Sequence, residues 1–415
     1  MTRIDFQQFV VIVGCTTMFV LSAFLDIGNE YIGLAVLSGL LILAFPDVSR
    51  SSLAAVLLFS GITLFSIPIL ALHYVDPGSV QTAWFAAFIL VGMALARFEP
   101  LLEEAPRLGA SRGDLILIPV YLVAGLAFWR GEGAGQISFY AGWGLALLHL
   151  ERLHASTGSK LVRAAGVGVF WLTIGLFMAL LWSGAGRIIF LSFFLAPLFL
   201  TVRYGTFRLS TLAFIAAAVG LSFIGRVLRF GWNDGIAGIA DDSGASHLTL
   251  TSYLWSASDT VISPGSVFEQ WFLLFFNWLP RDLWPGKPVG IGSTFVDMYL
   301  GRQGQSLEHS TATGYFGEHL FYLPHFWWVS VILLTAVIIL ARRLIARFST
   351  PYRAPVMAFD VWLITLFWGG MASFGARVWL ALGPMLIYLT ILKIVAARRR
   401  GGRPIAPALT TPRIA

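Results

Sequence analysis

Long apolar runs separated by short polar connectors make up most of the chain. A helix needs about 20 mostly apolar residues to cross roughly 30 Å of hydrocarbon. On that template twelve stretches qualify: 6-25, 31-46, 52-74, 81-97, 113-129, 135-150, 163-183, 187-202, 207-226, 323-341, 356-373 and 376-396. The pattern predicts an all-α polytopic membrane protein of about 12 transmembrane helices. One connector breaks the rhythm: residues 227-322 separate the ninth and tenth spans, and a loop of that length is usually functional or disordered. Its first part, 231-247, is rich in Gly, Asp and Ser and reads as mobile. Segments 248-262 and 267-279 are apolar or amphipathic enough for helices. Their Trp255, Trp271 and Trp278 suit either a membrane interface or stacking on a ligand ring. The organisation that follows is a bundle over 1-226, a large outer loop over 227-322, three C-terminal spans over 323-396 and a basic tail over 397-415.

Composition excludes several classes. At 57% hydrophobic, 12% charged and a mean hydropathy of +0.79, the chain is neither a soluble enzyme nor a nucleic-acid binder. The lone Cys15 rules out an internal disulfide, so the long loop must hold itself together by other means. A net charge of +7 would point to a polyanionic partner in a soluble protein. Here the cations must first be sorted by side. Of the 28 Lys and Arg, only Arg130, Arg187, Arg226, Arg229, Arg281, Lys287, Arg302 and Arg377 fall on the face of the long loop. The positive-inside bias therefore assigns both termini to the cytoplasm and the long loop to the outer face. The first span has no small-residue cleavage site after it and is read as retained.

An outward cation in an apolar protein needs a reason. Arginine presents a planar, permanently charged fork that matches phosphate or carboxylate oxygens, so converging arginines would clamp a pyrophosphate. The plainer alternative is snorkelling to lipid headgroups. Arg187, Arg226, Arg229 and Arg377 lie at or near predicted helix ends. Arg187 follows Ser183-Gly184-Ala185-Gly186, where bare backbone would let an anion approach helix amides as well as the side chain. Arg281, Trp284 and Lys287 lie in Pro280-Arg281-Asp282-Leu283-Trp284-Pro285-Gly286-Lys287-Pro288. Three prolines stiffen this segment, which suits a binding loop or a structural elbow.

Downstream, His309-Ser310-Thr311-Ala312-Thr313-Gly314-Tyr315-Phe316-Gly317-Glu318-His319 sets small hydroxyl residues and glycines ahead of a carboxylate at the edge of the bilayer. A partly desolvated Glu318 with a raised pKa would serve as a general base; an ion pair with an arginine is the structural alternative. Asp297 and His309 are second choices. His247, His309, His319 and His325 form no H-E-x-x-H pattern, so no metal site is expected, and Walker, dinucleotide and G-x-S-x-G patterns are absent from the sequence.

The segment 279-288, the Ser/Thr-rich turn ending Gly317-Glu318, and Gly184-Ala185-Gly186-Arg187 together resemble the oligosaccharide repeat-unit polymerases, the Wzy-type O-antigen and exopolysaccharide polymerases. The likeness covers the general plan and about forty residues from 279 to 318; the aromatic stretch around Trp327 and Trp328 has no counterpart in it. The resemblance implies a GT-C-like bundle in a bacterial inner membrane with its large loop in the periplasm. It implies a metal-independent, inverting glycosyl transfer between polyprenyl-pyrophosphate-linked donor and acceptor oligosaccharides, with no cofactor, no nucleic acid, and a chain-length-regulating co-polymerase as a further partner. Under it Glu318, Arg281 and His309 are the expected catalytic residues. Arg187, Arg226, Arg229, Lys287, Arg377 and Trp284 are the expected substrate contacts. An O-antigen ligase would share these features and differ in its acceptor. A lipid-linked oligosaccharide flippase would want polar residues spread through the midplane of several spans.

Overall fold

The structure is a computed structural model. It describes residues 52-61, 112-127, 134-155, 160-180, 187-204, 266-299 and 312-401, with positions 64, 86, 89, 251, 253 and 254. The described residues are helical, with no strand among them. In chain order the helices are α1 (Ser52–Ser60), α2 (Arg112–Ala127), α3 (Ala134–Ala155), α4 (Lys160–Leu180), α5 (Arg187–Tyr204), α6 (Val267–Phe276), α7 (Ile291–Tyr299), α8 (Gly314–Tyr322), α9 (Trp327–Ser349) and α10 (Ala354–Gly401). The expected spans 6-25, 31-46 and 207-226 lie outside the described residues, as do most of 52-74 and 81-97, so the count of twelve does too. Expected spans 113-129, 135-150, 163-183 and 187-202 coincide with α2 to α5 within a few residues.

Two of these helices, Trp327–Ser349 and the apolar part of α10, Ala354–Val395, are long and apolar enough to cross a membrane. Their outward faces are apolar as well: Ile332, Leu333, Leu340 and Leu344 on α9 and Ile387, Ile391 and Ile394 on α10 are exposed. Continuous apolar faces of that kind fit lipid better than water.

α10 is not one straight helix. Gly370 interrupts it with φ 79° and ψ −172°, a region essentially reserved for glycine. The contacts with α3 reveal a reversal there. Trp143 packs edge-on against Trp362, with ring centroids 5.8 Å apart, while a Cβ on the neighbouring Gly144 would collide with the Ala381 carbonyl. Towards the end of α3, Glu151 bonds the amide of Ala354 at 2.7 Å and Arg152 reaches the Tyr388 hydroxyl at 2.8 Å. Moving along α3, its contacts run backwards in the first arm of α10 and forwards in the second. The arms are therefore antiparallel, with their tip near Gly370. Sequence patterning places this break a few residues later, between 373 and 376, because the tip itself is apolar.

Buried polar groups fasten the bundle. Glu151 accepts from the amides of Arg353 and Ala354 at 2.7 Å each, capping the first arm where four amides lack helical partners. Asp114 from α2 meets His149 at 2.6 Å and Arg152 at 2.9 Å. Arg342, read from the sequence as part of a basic connector, lies inside α9 and is buried. Its fork grips Asp360 at 2.7 and 2.9 Å, and Ser52 from α1 donates to the same carboxylate at 2.6 Å. The helix continues past residue 341 because this pairing removes the need to expose Arg342.

α6, α7 and α8, all from the long 227-322 connector, gather at the tip of the α10 hairpin. α6 starts with a complete capping box, Ser266 and Glu269, which satisfies two otherwise orphaned donors. It then lies against the second arm, where a Cβ on Gly375 would strike the carbonyls of Leu273 and Leu274. Small residues permit this backbone approach between membrane helices. Trp379 donates its indole N–H to the Leu274 carbonyl at 2.8 Å, and Asn277 donates to the Ala372 carbonyl at 2.6 Å.

A candidate active site at the tip of the helical hairpin

A cavity of about 310 Å³ opens where these elements meet. The α6–α7 connection contributes Asn277 and Gly290, and the first turn of α7 contributes Ile291 and Gly292. Glu318 comes from α8. The α10 tip supplies Trp368, Gly369, Ser373 and Arg377, among others. Two expected site residues, Glu318 and Arg377, thus line one cavity although 59 positions separate them along the chain, about 200 Å of fully extended backbone.

Glu318 is 1% exposed. Its carboxylate accepts the Met371 N–H at 2.6 Å and a hydrogen bond from the Thr313 side chain. No arginine pairs with it among the described residues; Arg226, Arg229 and Arg302 lie outside them. Burial pushes its pKa up to about 8, against the opposing pull of the Met371 amide and Thr313. The hairpin tip is built around this side chain, since a Cβ on Gly370 would overlap the Glu318 carboxylate.

Arg377 stands two turns into the second arm. One terminal nitrogen donates to the Ser373 carbonyl at 2.5 Å and to its hydroxyl at 2.9 Å, and the guanidinium also reaches the Tyr140 hydroxyl. Its Nε is buried with no partner among the described residues. The start of α7 lines the same cavity; Gly290 accepts there from the amides of Ser293 and Thr294, and the first amides of a helix have no partner within it. The small side chains there leave backbone N–H groups approachable, and the helix end favours negative charge. A cation, a helix start and a titratable carboxyl on one cavity can hold an anionic group beside a proton acceptor.

The remaining expected residues are distributed as follows. Arg281 is exposed and closes its fork on its own loop, donating to the carbonyls of Lys287 at 2.8 Å and Pro288 at 3.4 Å. Lys287 donates to the carbonyls of Asn277 and Leu279 at 2.5 and 2.8 Å; burial, and then the Arg281 charge, hold its pKa below the ordinary lysine range. Trp284 is half-buried, its amide bonded to Pro280 and Arg281 carbonyls. None of the three lines the cavity. Arg281 and Lys287 thus close the 280-288 segment on the carbonyls of Asn277, Leu279, Lys287 and Pro288, beside Asn277 and Gly290 of the cavity wall. Arg187 heads α5 and Asp297 lies in α7. Arg226, Arg229 and His309 lie outside the described residues. His319 is buried next to Glu318, bonded to the Ser330 hydroxyl at 2.6 Å, and burial lowers its pKa to about 3, so it is neutral.

Sequence reasoning missed Asn277, Trp368, Ser373 and Gly370. The Gly369-Gly370 pair was the available signal, a breaker dipeptide inside an apolar run. Comparison with protein-family models, curated proteins and solved structures finds no match to this chain.

Proposed function

We propose that the chain is a membrane glycosyltransferase of the outer leaflet of a bacterial inner membrane, polymerising polyprenyl-pyrophosphate-linked oligosaccharide repeat units. The observation that carries this reading is the shared cavity of Arg377 and Glu318, singled out from the sequence on separate grounds. In the reaction, an acceptor hydroxyl oxygen attacks the anomeric carbon of the donor sugar. The carbon–oxygen bond to pyrophosphate breaks, the electron pair leaves with the pyrophosphate, and the hydroxyl proton passes to Glu318. Attack opposite the departing oxygen inverts the anomeric centre. Arg377 and the first turn of α7 supply fixed positive charge where the leaving group gains negative charge, the arrangement that contributes most in such sites. Glu318, with a pKa near the working pH, suits the proton acceptor. The bond energy is stored in the donor, so no nucleotide is needed.

Purified protein given lipid-linked repeats tests this directly, scoring donor binding and chain extension separately. Glu318→Gln is expected to bind donor and lose about 10²- to 10⁴-fold in extension. Extension at the normal rate would remove Glu318 from the chemistry. In a deletion strain, glycan stopped at one capped repeat identifies a polymerase, whereas long unattached chains identify a ligase.

A further inference from the structure

At the other end of the bundle, the last turns of α9 and the second arm of α10 leave a crevice of about 530 Å³ lined by Leu344, Ile345, Arg347, Phe348, Leu386 and Lys393. Four apolar residues form its walls and two cations its rim, with no acidic residue in the lining. Lys393 is held in place: its ammonium donates to the Phe348 carbonyl and lies 4.9 Å from the centre of the Phe348 ring. It therefore covers the carbonyl end of α9, which would otherwise repel an anion. Arg347 is exposed in the last turn of the same helix.

The two flanking helices are those long and apolar enough to cross a membrane, and each carries an exposed apolar track away from the rim. Leu340 and Leu344 lie on α9; Ile387 and Ile391 lie on α10. A small soluble anion would have no use for these tracks. A phospholipid uses rim and tracks together, because its phosphate needs positive charge and its chains need apolar grooves. Basic pockets between membrane helices on the side richer in Lys and Arg suit anionic headgroups, and Arg343, Arg353 and the Arg398-Arg399-Arg400 run lie on this side as well.

We propose that this crevice is a binding site for an anionic phospholipid of the cytoplasmic leaflet, its phosphate between Arg347 and Lys393 and an acyl chain along Leu344 and Leu386. The site is independent of the glycosyl-transfer reading and stands or falls separately. The test is native mass spectrometry of the full-length protein in a non-ionic detergent with added phosphatidylglycerol, cardiolipin or phosphatidylcholine. The two anionic lipids should be retained in preference to phosphatidylcholine, and Arg347→Gln and Lys393→Gln should each lower their occupancy by about fivefold. Replacing Arg398, Arg399 and Arg400 together by Gln should leave it unchanged. Because Lys393 also caps α9, Leu386→Trp provides a second route: it fills the crevice, keeps both charges, and should displace the lipid. Equal retention of phosphatidylcholine, an equal loss in the tail variant, or undiminished anionic lipid on Leu386→Trp would each overturn the assignment.

Discussion

The Glu318 carboxylate and the Met371 amide lie 2.6 Å apart although 53 positions separate them in the chain. A side chain from the long 227-322 connector thereby starts the second arm of the α10 hairpin, as Glu151 starts the first by accepting from Arg353 and Ala354. Each arm begins on a buried carboxylate borrowed from another helix. The reason is local: neither arm has a Ser, Thr, Asp or Asn of its own at the position that would cap it, since Arg353 and Gly370 stand there. Placing Glu318 at the tip also fixes the direction in which Arg377, two turns on, enters the cavity.

The tip depends on Gly370. An alanine there must hold a backbone conformation that costs about 1 to 3 kcal/mol outside glycine, and its methyl group must displace the Glu318 carboxylate. Gly370→Ala is expected to lower the melting temperature in detergent by more than Gly383→Ala, where nothing lies within 4 Å of the added atom. Adding Glu318→Ala to Gly370→Ala should destabilise by less than the two single changes predict, because the overlap disappears with the carboxylate.

The same carboxyl links stability and activity to pH in opposite senses. Its folded pKa, about 8, lies above its ordinary value of 4.5. The stability it contributes is fully present below about 4.5 and is lost as pH rises through 8, because the unfolded chain binds fewer protons across that window. Wild-type melting temperature should therefore fall more steeply than that of Glu318→Gln between those pH values, and the two slopes should agree above. Chain extension should rise through pH 8 as the base form appears, with no such limb in Glu318→Gln. Parallel pH slopes in melting for the two proteins would show that Glu318 does not titrate in this window.

Sequence patterning located the helices well and their junctions poorly, for a physical reason. Among the described residues, apolar runs report burial away from water, so α2 to α5 and the apolar parts of α9 and α10 were legible. Reversal at Gly370 was not, because the turn is satisfied by a distant carboxylate rather than by local polar residues. Charge counting put Arg342 in a connector, since arginines after an apolar run usually face water; its partner Asp360, inside the next apolar run, signals otherwise. In the site, Glu318 and Arg377 were legible as charges out of place. The rest of the cavity wall is small and neutral, and such residues become informative only when the fold brings them together.

Arg377 and Arg281 separate two uses of an arginine, binding a ligand and bracing a loop. Lysine keeps the charge but loses the planar fork. At 377 the side chain faces the cavity, so Arg377→Lys is expected to lower extension at least tenfold in protein that melts as wild type does. At 281 the fork joins the Lys287 and Pro288 carbonyls, so Arg281→Lys should chiefly loosen the 280-288 elbow. Limited proteolysis within that segment should become faster, with extension falling less than in Arg377→Lys. The reverse ranking of activities would move the leaving-group site from the hairpin tip to the elbow.

The buried pair Arg342–Asp360 offers a test of the bundle away from the site. Removing one member leaves a desolvated charge, which in soluble proteins costs about 3 to 5 kcal/mol, whereas replacing both by apolar residues is often neutral or better. Arg342→Met should therefore destabilise strongly, because Asp360 would keep only the hydroxyl of Ser52. Asp360→Leu should do the same by taking the carboxylate away from the buried guanidinium. The double variant Arg342→Met with Asp360→Leu should recover most of the lost melting temperature, as both charges leave together, while the Ser52 hydroxyl loses its acceptor at a cost of about 1 to 3 kcal/mol. Chain extension in the double variant should stay close to wild type, since the pair lies on the far side of the first arm's midpoint from the Gly370 tip. Additive losses in the double variant would mean that the two residues contribute to stability independently of each other.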